Sequence, residues 1–123
     1  MARPVTSTGG AGERLRAELC RVLDRRRRGA DDAEIALGDG PMSQRLESSI
    51  RALAQHRGPH SSICPSDAAR AVGGSGWREL MDDARAAARR LARSGDVEIT
   101  QRGKPVDPGG DWSGPIRIRI PGP

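Results

Sequence analysis

Between Arg93 and Val97 the apolar period of this chain changes from that of a helix to that of a strand. Upstream, Trp77, Leu80, Met81, Ala84, Ala88 and Leu91 fall on one face of a helix predicted over Trp77 to Arg93, and Gly95 closes it. Downstream, Val97, Ile99 and Gln101 alternate with Glu98, Thr100 and Arg102, and Ile116, Ile118 and Ile120 alternate with Arg117 and Arg119. Gly103-Lys104-Pro105 and Asp107-Pro108-Gly109-Gly110 between them are turn chemistry, which predicts a hairpin with an extended tip. A lone hairpin is marginal in water, so its isoleucine face must cover helices. The fold class is therefore α+β, mainly helical.

The segments before the switch supply those helices. Leu46, Ile50, Leu53 and Ala54 share a face over Ser43 to Arg57, with Ser43 as the expected N-cap and Gly58-Pro59 as the stop. A short extended piece, Ser61 to Cys64, leads into a brief helix that Pro65 and Asp67 begin and Gly73-Gly74 end, with Ala68, Ala69 and Val72 facing inward. Helix, short strand, short helix, tight turn, longer helix and hairpin is the order of a winged helix-turn-helix: three helices plus a C-terminal β-hairpin wing, expected over residues 43–120. Small residues such as Ala68, Ala69, Ala84, Ala87 and Ala88 let two of its helices cross closely.

N-terminal to this core, residues 1–12 hold little that could be buried and are expected to be a disordered tail. Residues 13–42 read as an additional, loosely tethered Arg-rich helix from Glu13 to Arg28 followed by an acidic linker, Ala30 to Pro41, in which Ile35 and Leu37 could dock weakly. Leu15, Leu19, Val22 and Leu23 share one face of that helix and would form a dimer face if exposed on the monomer. Four cations, Arg25 to Arg28, sit at its negative pole as a solvated helix end or a phosphate-contacting arm. Residues 121–123 are a short tail.

The 123 residues have room for one domain, and Gly 16 with Pro 9 keeps its ordered core small. A net charge of +5 favours an anionic partner, although arginine supplies every cation except Lys104. There is no apolar run of membrane-spanning length and no secretory signal, so the expectation is a cytoplasmic protein away from membranes. Cys20 and Cys64 have no metal-ligand spacing around them, and neither a metal nor a cofactor is expected.

Several short motifs also occur together in order: Cys64-Pro65-Ser66, Trp77-Arg78-x-Leu80-Met81, Gln101-x-Gly103-x-x-Val106-Asp107-Pro108 and Gly114-Pro115-x-Arg117-Ile118. With the helix before them they cover about residues 43 to 120, and in this combination the chain resembles the bacterial domain-of-unknown-function family numbered 3253. The resemblance implies a winged-helix-like fold. It implies no activity and lends no catalytic residues.

Double-stranded DNA is the leading expected partner. Arg78, Arg85 and Arg89 form one stripe on the last helix, where guanidinium groups could reach phosphates or guanine edges, and Gln101, Arg102 and Lys104 stand near the wing tip. Glu79, Asp82 and Asp83 lie in or beside the stripe and support the plainer reading, a surface helix laced with intrahelical ion pairs. That mixed-sign face fits the alternative function, a non-catalytic protein-interaction module. The absence of Phe and Tyr removes the usual stacking platform of single-strand binders.

Four other residues have a structural and a functional reading. Trp77 is expected to anchor the helix-turn-helix corner, whereas Trp112 could pack on the domain or stack on a partner. Cys64 stands before a helix start, a location that can make a thiol reactive, but a small buried residue at a strand end is the plainer reading. His56 is expected as a helix-end cation or a solvated residue. No nucleophile-and-base arrangement can be assembled from the sequence, so the chain is not expected to be an enzyme. Oligomeric state is not legible.

Overall fold

A computed structural model describes residues 10–25 and 29–122. Five α-helices and a small antiparallel sheet follow one another: α1 (Gly10–Arg25), α2 (Ala30–Leu37), α3 (Met42–Arg57), α4 (Pro65–Gly73), a 3-10 segment (Gly74–Leu80), α5 (Met81–Arg93), β1 (Glu98–Gln101), β2 (Lys104–Pro105) and β3 (Arg117–Arg119). The fold is α+β and mostly helical, with strand order β2-β1-β3.

The sheet depends on one link to the helices. Between α3 and α4, Ile63 forms an isolated antiparallel bridge with Ile118, exchanging hydrogen bonds of 2.8 and 2.7 Å. β3 in turn pairs with β1, setting Glu98 opposite Arg119 and Ile99 opposite Ile118. Ile63, Ile99, Ile116 and Ile118 are buried beside Ala84, Ala87, Ala88 and Leu91 of α5, as the alternating pattern requires. Thr100 is buried as well, although alternation placed it outward; it is paired on both edges of β1, with Pro105 of β2 and Arg117 of β3.

The N-terminal segment is no loose tether. Leu15, Leu19 and Val22 of α1 are buried in the same cluster as α3 to α5, so they belong to this chain's own core and offer no dimer face. Residues 10–12, expected in a disordered tail, lie in the first turn of α1; residues 1–9 of that tail, and 26–28 of the expected Arg25 to Arg28 cluster, fall outside the described residues. Ala30 to Leu37, expected as linker, is a helix with Asp31 and Asp32 on its positive pole. It buries Ala33 and Ala36, packs half-buried Leu37 against the core and leaves Ile35 exposed. Gly29 starts it at φ 91, where a Cβ would also meet Gln55 Oε1 at 3.1 Å.

Two more boundaries differ from expectation. Met42 begins α3 after Pro41, whose fixed φ pre-forms the turn, and Ser43 does not cap it. Trp77 to Leu80 belong to the 3-10 segment and not to a continuous helix, because Gly76 breaks the α geometry at φ −91, ψ 16. α4 begins as expected, with the Asp67 carboxylate accepting the Cys64 backbone N–H at 3.0 Å in a capping box.

One ionic cluster ties α1 to α3. Glu18 is only 8% exposed; its Oε1 accepts Arg57 Nη2 at 3.0 Å, and its Oε2 accepts Arg57 Nε at 3.3 Å and lies 2.8 Å from His56 Nδ1. His56 is thus engaged with α1 and is not simply solvated. Burial pushes the Glu18 carboxyl up, but the hydrogen bonds and charges of Arg57 and His56 outweigh it and hold the group below its ordinary value. Asp32, beside Arg51 and Asp31, moves the other way because burial dominates.

Replacing Leu19 with Ala removes a fully buried side chain and should cost about 2–4 kcal/mol in urea unfolding. Glu18→Gln should cost roughly 1.5 kcal/mol at pH 7. Because the folded state depresses this carboxyl, its contribution is complete above its ordinary value of 4.5 and is lost as pH falls through the folded value. The stability gap between wild type and Glu18→Gln should therefore narrow below about pH 4.5; a gap constant from pH 7 to pH 3 would refute the ion-pair assignment.

Candidate nucleic-acid interface

The β1–β2 connection is a two-residue turn with Arg102 at φ 54 and Gly103 at φ 82. Two successive positive φ values are what a primed hairpin turn needs to match the right-handed twist of its strands. Thr100 pairs with Pro105 and Gln101 with Lys104, leaving Arg102 and Lys104 exposed. The expected hairpin is thus folded twice: β1 turns tightly into β2, and a long loop then brings the chain back to β3 on the other edge of β1.

That loop lies on α5 around Trp112. The indole N–H donates to the Asp107 carbonyl at 2.9 Å, and the Asp107 carboxylate accepts the Gly109 N–H at 3.2 Å. The Arg89 guanidinium stands 3.9 Å from the Trp112 ring centre while its Nη1 donates to the carbonyls of Pro108 at 2.7 Å and Gly110 at 2.8 Å. Arg85, 5.1 Å from the same ring, donates to the Gly114 carbonyl. The Gln101 side-chain amide donates to the Ser113 and Pro115 carbonyls. Three of the six residues singled out in the sequence, Arg85, Arg89 and Gln101, therefore brace the loop.

Trp77 is held in the same manner, between Arg70 at 4.2 Å and Arg78 at 4.8 Å. Arg78 is exposed on the 3-10 segment, away from the wing residues in the chain's order of elements, with Glu79, Asp82 and Asp83 exposed next to it. The intrahelical pairs expected for this face are absent among the described residues. Every ion pair there joins residues far apart in sequence, such as Arg90–Glu47, Arg51–Asp96 and Arg119–Glu98.

Arg102 and Lys104 meet a third cation at an open groove. Arg117 lines it with them, Gln101, Val106 and Ser113 to Pro115 complete the wall, and no carboxylate lines it among the described residues. Arg117 is exposed but firmly placed: Nε donates to Ser62 Oγ at 2.9 Å, Nη2 to the Ser62 carbonyl at 3.0 Å, and Nη1 to Cys64 Sγ. Sequence reasoning gave Arg117 no role as a contact. Strand alternation puts Arg117 and Arg119 on the outer face with Glu98 as a cross-strand partner for at least one of them; Glu98 takes Arg119, and Arg117 goes to a segment 55 residues away, which nothing local showed. Cys64 is half-buried against this guanidinium.

No group of three or more His, Cys, Asp or Glu side chains among the described residues is placed to hold a metal ion. No helix among them is long and apolar enough to cross a membrane. A family model described as "Protein of unknown function (DUF3253)" matches residues 43–121. The chain belongs to the DUF3253 family. The match takes in α3 through β3, hence the sheet, the loop around Trp112 and the groove, and leaves α1 and α2 outside. No curated protein matches the chain.

In a Trp77→Phe background, Arg89→Ala should red-shift the emission of Trp112 and raise amide exchange from 108 to 114, because two carbonyl bonds and the ring contact go together. The stability cost should be about 1–3 kcal/mol. Unchanged emission and exchange would mean that the loop holds itself without α5.

Proposed function

We propose that this DUF3253 protein is a winged helix-turn-helix that binds double-stranded DNA through its wing, as a binding protein of the cytoplasm and not as an enzyme. The order α3, Ile63 bridge, α4, α5, β1, β3 supports the winged-helix reading, with α5 as the third core helix and the chain from β1 to β3 as the wing. The observation that carries the DNA reading is the groove of Arg102, Lys104 and Arg117 with no carboxylate on its wall among the described residues. Phosphate contacts supply most of the affinity for a duplex and need cations that no acid has already neutralised.

In this mode Arg102 and Lys104 meet backbone phosphates at the wing tip, and Arg117, fixed by Ser62, takes a third. Arg85, Arg89 and Gln101 act through the loop they brace, as positioning residues. Arg78 is the remaining candidate on the α5 side, where Glu79, Asp82 and Asp83 oppose a phosphate backbone. Those three exposed carboxylates are also what favours the second reading, a protein-interaction module whose partner carries basic side chains.

Anisotropy of a labelled random-sequence duplex at about 50 mM and 200 mM salt separates the two. The DNA reading expects affinity to fall steeply between them, and Arg102→Ala/Lys104→Ala to flatten the salt slope by roughly 1.8, two phosphate contacts at about 0.9 each. Absence of binding at the lower salt would reject it and leave the interaction module.

A further inference from the structure

A second open groove lies where α1 crosses the family region. It is lined by Arg14, Glu18 and Arg21 of α1, Arg57 of α3, and Asp67 and Arg70 of α4. Positions 14, 18 and 21 repeat at the spacing of one helix face, so α1 delivers both of its groove arginines to one side. The two acids are occupied within the protein: Glu18 accepts Arg57 and His56, and Asp67 accepts the Cys64 N–H and lies 3.9 Å from Arg57. Arg14 and Arg21 are exposed and have no ion-pair partner among the described residues, and Arg70 leans on Trp77. The groove thus has an excess of guanidinium groups over carboxylates, with its acids already satisfied.

The two grooves are linked by a shared hydrogen-bond acceptor, the Ser62 carbonyl. Arg57 Nη1 donates to the Ser62 carbonyl at 3.4 Å, and Arg117 Nη2 donates to the same oxygen at 3.0 Å. One guanidinium belongs to each groove, and the oxygen between them holds two like charges side by side. Arg57 is neutralised by Glu18 and so links the two grooves without adding free charge; the cations a polyanion can follow are Arg102, Lys104 and Arg117 on one side of it and Arg14 and Arg21 on the other.

We infer that α1, which lies outside the family match, extends the nucleic-acid contact, with Arg14 and Arg21 taking phosphates of the same duplex that the wing grips. The inference rests on the DNA reading of the wing and adds to it a second backbone contact from a helix the family region lacks. It gives α1 a recognition role besides its part in the core.

The test uses the full chain, a labelled random-sequence duplex and four variants: Arg14→Ala/Arg21→Ala, Arg102→Ala/Lys104→Ala, their combination, and Arg14→Lys/Arg21→Lys. Exposed arginines of this kind should leave thermal stability within about 0.5 kcal/mol of wild type. Loss of two phosphate contacts lowers the salt slope by about 1.8, so between 50 and 200 mM salt the α1 double alanine variant should lose roughly twelvefold less affinity than wild type. Its effect should add to that of the wing variant, and the lysine variant should keep the wild-type slope. If the wing variant flattens the slope and the α1 alanine variant does not, α1 is no part of the contact while the wing reading stands. If neither changes the slope, or wild type binds no duplex, both readings fall.

Discussion

The reciprocal backbone hydrogen bonds between Ile63 and Ile118 join the helical part of this protein to its sheet. Both side chains are fully buried, so the pairing places two large apolar groups in the core and two backbone segments beyond the reach of water. Everything on the outer side of the sheet inherits its position from that pair. β3 is fixed against Ile63, β1 against β3 and β2 against β1, and the connection from Ser62 to Cys64 becomes the surface on which Arg117 rests. A two-stranded ribbon without this anchor would be marginal in water.

Arginine then decides how the surface is built. Nearly all the positive charge of the chain is guanidinium, and most of the arginines among the described residues are engaged within the protein. Arg57 and Arg51 hold helices together through carboxylates, Arg89 and Arg85 hold a loop through carbonyls and a ring, and Arg70 and Arg78 flank Trp77. A planar group with five donors can stack and donate at once, which a lysine cannot do. The net charge of +5 therefore overstates the charge available to a partner, and the cations that matter are those whose neighbours include no acid.

The sequence made the core helices and strands legible because their apolar positions keep a clear period. Leu46, Ile50 and Leu53 mark α3, and Ile99, Ile116 and Ile118 mark the sheet. α2 escaped because it contributes Ala33 and Ala36, side chains too small to stand out against Asp31, Asp32 and Glu34. The break before Met81 escaped because a 3-10 segment and an α-helix share apolar spacings of three, so Trp77 and Leu80 fit both. For the candidate site, the exposure of Arg102 and Lys104 followed from turn chemistry. The engagement of Arg85, Arg89 and Gln101 did not, since their acceptors are backbone carbonyls of Pro108, Gly110, Gly114, Ser113 and Pro115, and carbonyls leave no trace in residue identity.

Leu15, Leu19 and Val22 lie outside the family match, yet they fill the core beneath α3 and α4. The stretch that the family model matches and the stretch that shares one core are consequently not the same length of chain. A partner that pulled α1 aside would open the hydrophobic interior, so α1 is constrained to meet any ligand in place, as a fixed wall with no freedom to swing, and its geometry toward the wing is set before anything binds.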